Sequence, residues 1–226
     1  MLIEEISINN KKYPEKLRNI YDAPKKLYVI GNKEILNQKG IAIVGSRKAT
    51  QYGKNVTLEM SKELSKRGIN IISGLAVGID SYAHIGCLGE KGKTIAILGN
   101  GLDTIYPVQN RKLAKAILEN DGCIISEYPI GAKIEKRNFP QRNRLISGLS
   151  DGILIVEANK KSGALITAEF GLEQGKEIFV IPGDITREQS EGCNILIKEG
   201  ANVVTSCEDI SSYLQNLTFL QKFDTM

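Results

Sequence analysis

The turn Gly45-Ser46-Arg47 follows a short apolar run, Ile41-Ala-Ile-Val44, and precedes a helical pattern. A phosphate at such a turn could meet backbone N–H groups, a serine hydroxyl and a planar guanidinium fork. The spacing is not GxGxxG, and the next strand ends Ile72-Ser73-Gly74 rather than on an acid. A dinucleotide site, which needs that acid for its ribose, is therefore disfavoured. A second cluster, Lys136-Arg137-Asn138-Phe139-Pro140-Gln141-Arg142-Asn143-Arg144, interleaves cations with one aromatic ring. Arginines hold phosphates, and an exposed phenylalanine gives a base a face to stack on, worth roughly 1–3 kcal/mol per base. Pro140 suits a helix start. That start would put Arg142 to Arg144 in the first turn, where cations oppose the helix dipole unless an anion is bound. A third cluster, Lys160-Lys161-Ser162-Gly163, lies between a strand ending at Glu157 and another helix and forms a second candidate phosphate cradle.

Groups for bond-breaking chemistry are sparse. Asp80 and His84 stand four residues apart at the start of a helix. That spacing shares a face, but Asp80 reads as a helix cap and the lone histidine as structural. No Ser/His/Asp, Cys/His or paired-carboxylate arrangement is evident in the turns. Cys87, Cys123, Cys193 and Cys207 form no CxxC pair and have a single histidine to assist them, so neither zinc nor disulfides are expected.

The elements that must position these residues read clearly. The chain has 226 residues, 42% hydrophobic and 25% charged, enough for one sizeable α/β domain with a small appendage. No apolar run approaches the roughly 20 residues of a membrane helix. The first residues lack a signal pattern, and the expected location is cytoplasmic. The net charge is +4. Lys133, Lys136, Arg137, Arg142 and Arg144 face only Glu135, so segment 133–144 carries as much excess positive charge as the whole chain and reads as an anion attractor.

Short β-branched runs recur at 41–44, 69–72, 94–98, 123–125, 153–156, 178–181 and 202–204. Most lack polar alternation, as in strands covered on both faces. Helical stretches lie between them, including Tyr52 to Arg67, Gln109 to Asn120 and Glu208 to Leu220, with fraying expected at the very end. Alternation of this kind predicts a doubly wound, mostly parallel, Rossmann-like α/β sheet. The turns after the strands are rich in glycine and serine. They fall on the carboxyl edge, where such sheets bind ligands. Residues 1–40 read as an extension packed on the sheet edge, and residues 41–220 as the binding domain.

These motifs, in this order, resemble the DNA-processing protein family (DprA/Smf). The matching strings include YPEKLRNIYDAPKKLYVIGN, IAIVGSRKATQYG, IISGLAVGIDSYAH, TIAILGNGLDTIYP, NFPQRNRLISGLSDGILIVEA and KSGALITAEFGLEQGKEIFVIPG, and run from Tyr13 to Ala201. The resemblance implies a Rossmann-like domain that binds single-stranded DNA without base specificity and without enzymatic activity or cofactor. It implies a homodimer that protects incoming strands in natural transformation and helps load a RecA-type recombinase. Carried over by motif, the contacting positions are Ser46, Arg47, Lys136 to Arg144 and Lys160 to Gly163. Many relatives carry a helical domain before YPEKL and a winged helix after the sheet, and neither is expected within these 226 residues. A second reading is a nucleotide-binding enzyme or sensor similar to nucleoside monophosphate phosphoribohydrolases. Those proteins carry a PGG-x-GT-x-x-E run, in place of which this chain has Ser162-Gly-Ala-Leu-Ile-Thr-Ala-Glu169.

Overall fold

A computed structural model of the chain describes residues 2–223. Its centre is a run of parallel strands: β3 (Gly40–Val44), β4 (Asn70–Ser73), β5 (Thr94–Leu98), β6 (Cys123–Ser126), β7 (Gly152–Ile155), β8 (Glu177–Val180) and β9 (Asn202–Val203). From β3 the chain winds outward one way through β4, β5 and β6. It then returns to the other side of β3 for β7, β8 and β9. This is the doubly wound topology that the sequence predicts, with its switch point between β3 and β7.

The apolar runs form strands because both faces are covered. Along β3, Ile41 and Ile43 enter one core while Ala42 and Val44 enter the other, the period of two that a pleated strand imposes. One face is covered by α2 (Gln51–Lys66), α3 (Ile79–Cys87), α4 (Arg111–Glu119) and α8 (Cys207–Phe223). The other is covered by α1 (Glu15–Arg18), α5 (Asn138–Leu149), α6 (Gly163–Glu173) and α7 (Glu191–Lys198). Helix α2 ends where its signals place it: Arg67 is the C-cap and Gly68 takes φ +80°, a left-handed stop.

The N-terminal segment lengthens the sheet. Strand β1 (Glu4–Ser7) pairs antiparallel with β2 (Lys26–Gly31), and β2 pairs antiparallel with β6. Leu17 and Ile20 lie against Gly148 of α5, and Lys16 bonds Asp151 at 2.7 Å. The four cysteines are free and buried. Among the described residues no helix is long and apolar enough to cross a membrane. Residues 224–226, within the stretch expected to fray, lie outside the described part.

Candidate nucleic-acid interface

An open cleft of about 390 Å³ lies at the switch point, above the carboxyl ends of β3 and β7 and between the first turns of α5 and α6. The turn after β3 forms one wall. Its conformation is fixed from three sides. The Ser46 N–H donates to the Glu157 carbonyl at 2.6 Å, and the Ser46 hydroxyl donates to Gln189 Oε1 at 2.6 Å while accepting the Lys48 N–H at 3.0 Å. From the third side, Gly78 opens α3 at φ +83°, and a Cβ there would stand 2.3 Å from the Ser46 carbonyl. Only glycine allows that approach. Ser46 is thus buried at the cleft wall, with its hydroxyl donating to Gln189 and its N–H to Glu157. What this turn offers outward is the exposed side chains of Arg47 and Lys48.

Helix α5 supplies the opposite wall. It begins at Asn138, two residues before Pro140, so the proline occupies the third helical position. Arg142 and Arg144 therefore fall beyond the first turn, and the expected conflict with the helix dipole does not arise. Phe139 is half-buried. A Cβ on Gly99 would stand 3.0 Å from its ring, Tyr106 lies at 5.5 Å between centroids, and the Arg47 guanidinium lies 6.0 Å from the Phe139 centroid. Arginine over an aromatic ring is a cation–π arrangement. It assembles a planar cation and a ring at one mouth of the cleft.

The two buried arginines differ. Arg142 forms part of the cleft floor. It donates to the Gly74 carbonyl at 2.8 Å and to the Ile97 carbonyl, and its Nε donates to Asn143 Oδ1 at 3.2 Å. Burial pushes its guanidinium down to about 10, partly offset by the neighbouring Asp80 carboxylate. Asp80 is itself raised by burial and held back by Arg142 and by N–H groups of Ala76 and Gly74. It caps the 74–76 turn rather than α3, correcting its reading as a helix cap. Arg144 turns away from the cleft altogether. It meets both carboxylate oxygens of Glu127 at 2.7 Å and Asp22 at 3.1 Å, and is 5% exposed. That bidentate pair is structural, so Arg144 is not available to a phosphate, contrary to expectation.

Helix α6 closes the third side. Ser162 is its N-cap, accepting the Ala164 N–H at 3.3 Å, while Gly163 faces open space and its carbonyl accepts Asn143 Nδ2 at 3.1 Å. Lys161 is exposed at the rim. Of the predicted residues, the cleft brings together Gly45, Ser46, Arg47, Phe139, Arg142, Asn143, Lys161, Ser162 and Gly163. Lys136, Arg137 and Lys160 stay on the exposed surface outside its lining; Arg137 pairs with Glu135 at 2.7 Å and Lys160 with Glu191 at 3.7 Å. Among the described residues, Arg47, Lys48, Lys133, Lys136 and Lys161 are cations with no ion-pair partner.

Sequence reasoning missed Lys48, Gln189 and Glu157. Lys48 was legible beside Arg47. Gln189 comes from a short 3-10 turn after β8 with no local signal. His84, by contrast, lies fully buried against Thr94 and takes no part in the cleft. No group of three or more His, Cys, Asp or Glu residues able to hold a metal occurs among the described residues.

The signature of the DNA recombination-mediator protein A family matches residues 4–215. The chain is 45% identical over 214 residues to protein Smf of Escherichia coli, covering 95% of this chain and 56% of that relative's length. Its fold superposes on DNA processing protein A from Streptococcus pneumoniae with a TM-score of 0.88 at 42% identity, over 93% of this chain and 74% of that one. DNA processing protein A from Helicobacter pylori, solved for its single-stranded DNA binding mode, matches with a TM-score of 0.83 at 33% identity, over 95% of this chain and 96% of that one. The chain belongs to the DNA recombination-mediator protein A family.

Proposed function

We propose that this chain binds single-stranded DNA along the switch-point edge, without base specificity and without catalysis, as the nucleic-acid-holding part of a recombination mediator. The observation that carries this reading is the pairing of Arg47 with Phe139 at the cleft mouth. A cation and a ring side by side suit a repeating ligand that presents phosphate and base in alternation. Unpaired Lys48 and Lys161 at the rim, and Lys133 and Lys136 beyond it, would follow the backbone by charge alone. A free nucleotide would leave most of these cations unused.

Binding should be salt-sensitive, because each phosphate neutralised on a single strand releases condensed counterions, with a slope of about −0.7 per contact in log K against log salt. Family membership further supports a homodimer that protects incoming strands in natural transformation and helps load a RecA-type recombinase. Titration of oligo-dT at several salt concentrations, with light scattering on the same samples, tests binding, its electrostatic share and the oligomeric state together. Salt-independent binding, or none, would overturn the reading. Adding a RecA-type recombinase to the protein–DNA complex and measuring filament formation tests the mediator step.

A further inference from the structure

Doubly wound sheets commonly seat a nucleotide phosphate at the turn after the first central strand and at the N-terminus of the helix that follows. Here one residue engages an N–H of that turn and the cap of that helix together. Glu157 follows β7 and is 3% exposed. Its carbonyl accepts the Ser46 N–H at 2.6 Å. Its carboxylate accepts the Thr50 N–H at 2.8 Å and also the Thr50 hydroxyl. Thr50 is the N-cap of α2 and its oxygen accepts the Gly53 N–H at 3.2 Å. The first turn of α2 has no acidic residue of its own, so Glu157 supplies the negative charge that the helix dipole favours there. The fit is close. A Cβ on Gly53 would stand 2.3 Å from Glu157 Oε2, so the helix is bare where the carboxylate passes.

We propose that Glu157 is a specificity-determining residue, a resident anion in the place of a mononucleotide phosphate. With that seat filled from inside the protein, a free nucleotide loses its strongest anchor. Phosphate contacts are left to the outward side chains of Arg47, Lys48 and Lys161, which suit a polymer lying along the rim. The selection of polymer over mononucleotide rests on the single-strand reading; the occupied seat does not.

The test compares the parent with Glu157→Ala and Glu157→Gln in inorganic phosphate and in chloride at matched ionic strength, with AMP as a second probe. Glu157→Ala should lose thermal stability in chloride and regain it selectively in phosphate, and should bind AMP about tenfold more tightly than the parent does, since a ligand that binds the native state alone raises its apparent stability. Glu157→Gln keeps the volume filled and an oxygen for the Thr50 N–H, and should gain neither property. An Ala variant that responds to phosphate no more than the parent or the Gln variant overturns the proposal. If that variant fails to fold in chloride, refolding in phosphate makes the same comparison, and recovery in both salts or in neither overturns it. Oligo-dT binding by the parent judges the single-strand reading separately.

Discussion

The guanidinium of Arg47 lies 6.0 Å from the ring centroid of Phe139, although the two residues come from opposite walls of the cleft. Arg47 leaves the end of the first central strand, whereas Phe139 sits in the first turn of the helix that crosses back to the switch point. Among the described residues Arg47 makes no ion pair. An exposed arginine resting on a ring and facing a cleft is a ready phosphate ligand, since a weakly hydrated planar cation sheds little water on binding.

Arg47→Ala should therefore weaken oligo-dT binding and flatten its salt dependence by about 0.7 in slope, one phosphate contact's share. Phe139→Ala should weaken binding by about 1–3 kcal/mol per stacked base while leaving the salt slope unchanged. Phe139→Tyr should restore most of the loss. Fluorescence anisotropy titrations at three salt concentrations separate the two signatures. Parent-like binding by both alanine variants would mean the strand runs elsewhere.

The unpaired cations should divide from the paired ones. Lys48→Ala and Lys161→Ala remove rim charges that have no partner in the protein, and each should reduce the salt slope. Lys160→Ala removes a lysine already 3.7 Å from Glu191 and should change it less. The same titrations check this ordering, and a larger effect from Lys160 would shift the strand toward α7.

Arg144 belongs to a different class of residue. Its two bonds to Glu127 are largely shielded from solvent, with side chains 6% and 12% exposed. Removing one partner leaves the other charge stranded, which costs about 3–5 kcal/mol for a buried pair. Arg144→Ala should lower the urea midpoint sharply yet leave the oligo-dT salt slope of the folded fraction intact. A reduced slope at unchanged stability would return Arg144 to the interface.

The contrast between Arg144 and Arg47 marks what the sequence could and could not reveal. Strand runs such as Ile153 to Val156 announce themselves because a strand covered on both faces must be apolar throughout. The winding follows from alternation, and the binding edge follows from the winding. The burial of an arginine does not, because its partners Glu127 and Asp22 lie 17 and 122 residues away. Local charge counting therefore overstated the anion attraction of segment 133–144, where Arg144 is neutralised by Asp22 and Glu127 from outside the segment. Ser46 has a long-range partner of the same kind. Its hydroxyl donates to Gln189, 143 residues distant, and so helps fix the turn that presents Arg47. Short-range features of the site were legible; the long-range hydrogen bonds that assign roles to its residues were not.

His84 gives the fold a dependence on pH that is separate from the cleft. Its ring is fully buried, and Nδ1 lies 2.6 Å from Thr94 Oγ1. The Thr94 hydroxyl donates to the Ile71 carbonyl at 3.0 Å, so the proton between histidine and threonine belongs to Nδ1. Nε2 is then an unprotonated nitrogen with no partner. Burial, with a smaller contribution from the positive Arg142, pushes the His84 pKa down to about 3. The unfolded chain takes up this proton near pH 6.5 and the folded chain does not. Neutral His84 thus leaves stability intact above about pH 6.5, and stability falls by about 1.4 kcal/mol per pH unit as the pH drops from there toward the folded-state value. His84→Asn keeps an N–H for Thr94 and cannot titrate. Between about pH 6.5 and about pH 4.5 the parent should lose roughly 2–3 kcal/mol more than this variant in urea denaturation. Equal losses would show that the folded protein accommodates a charged His84, and the acid sensitivity would then lie with the carboxylates.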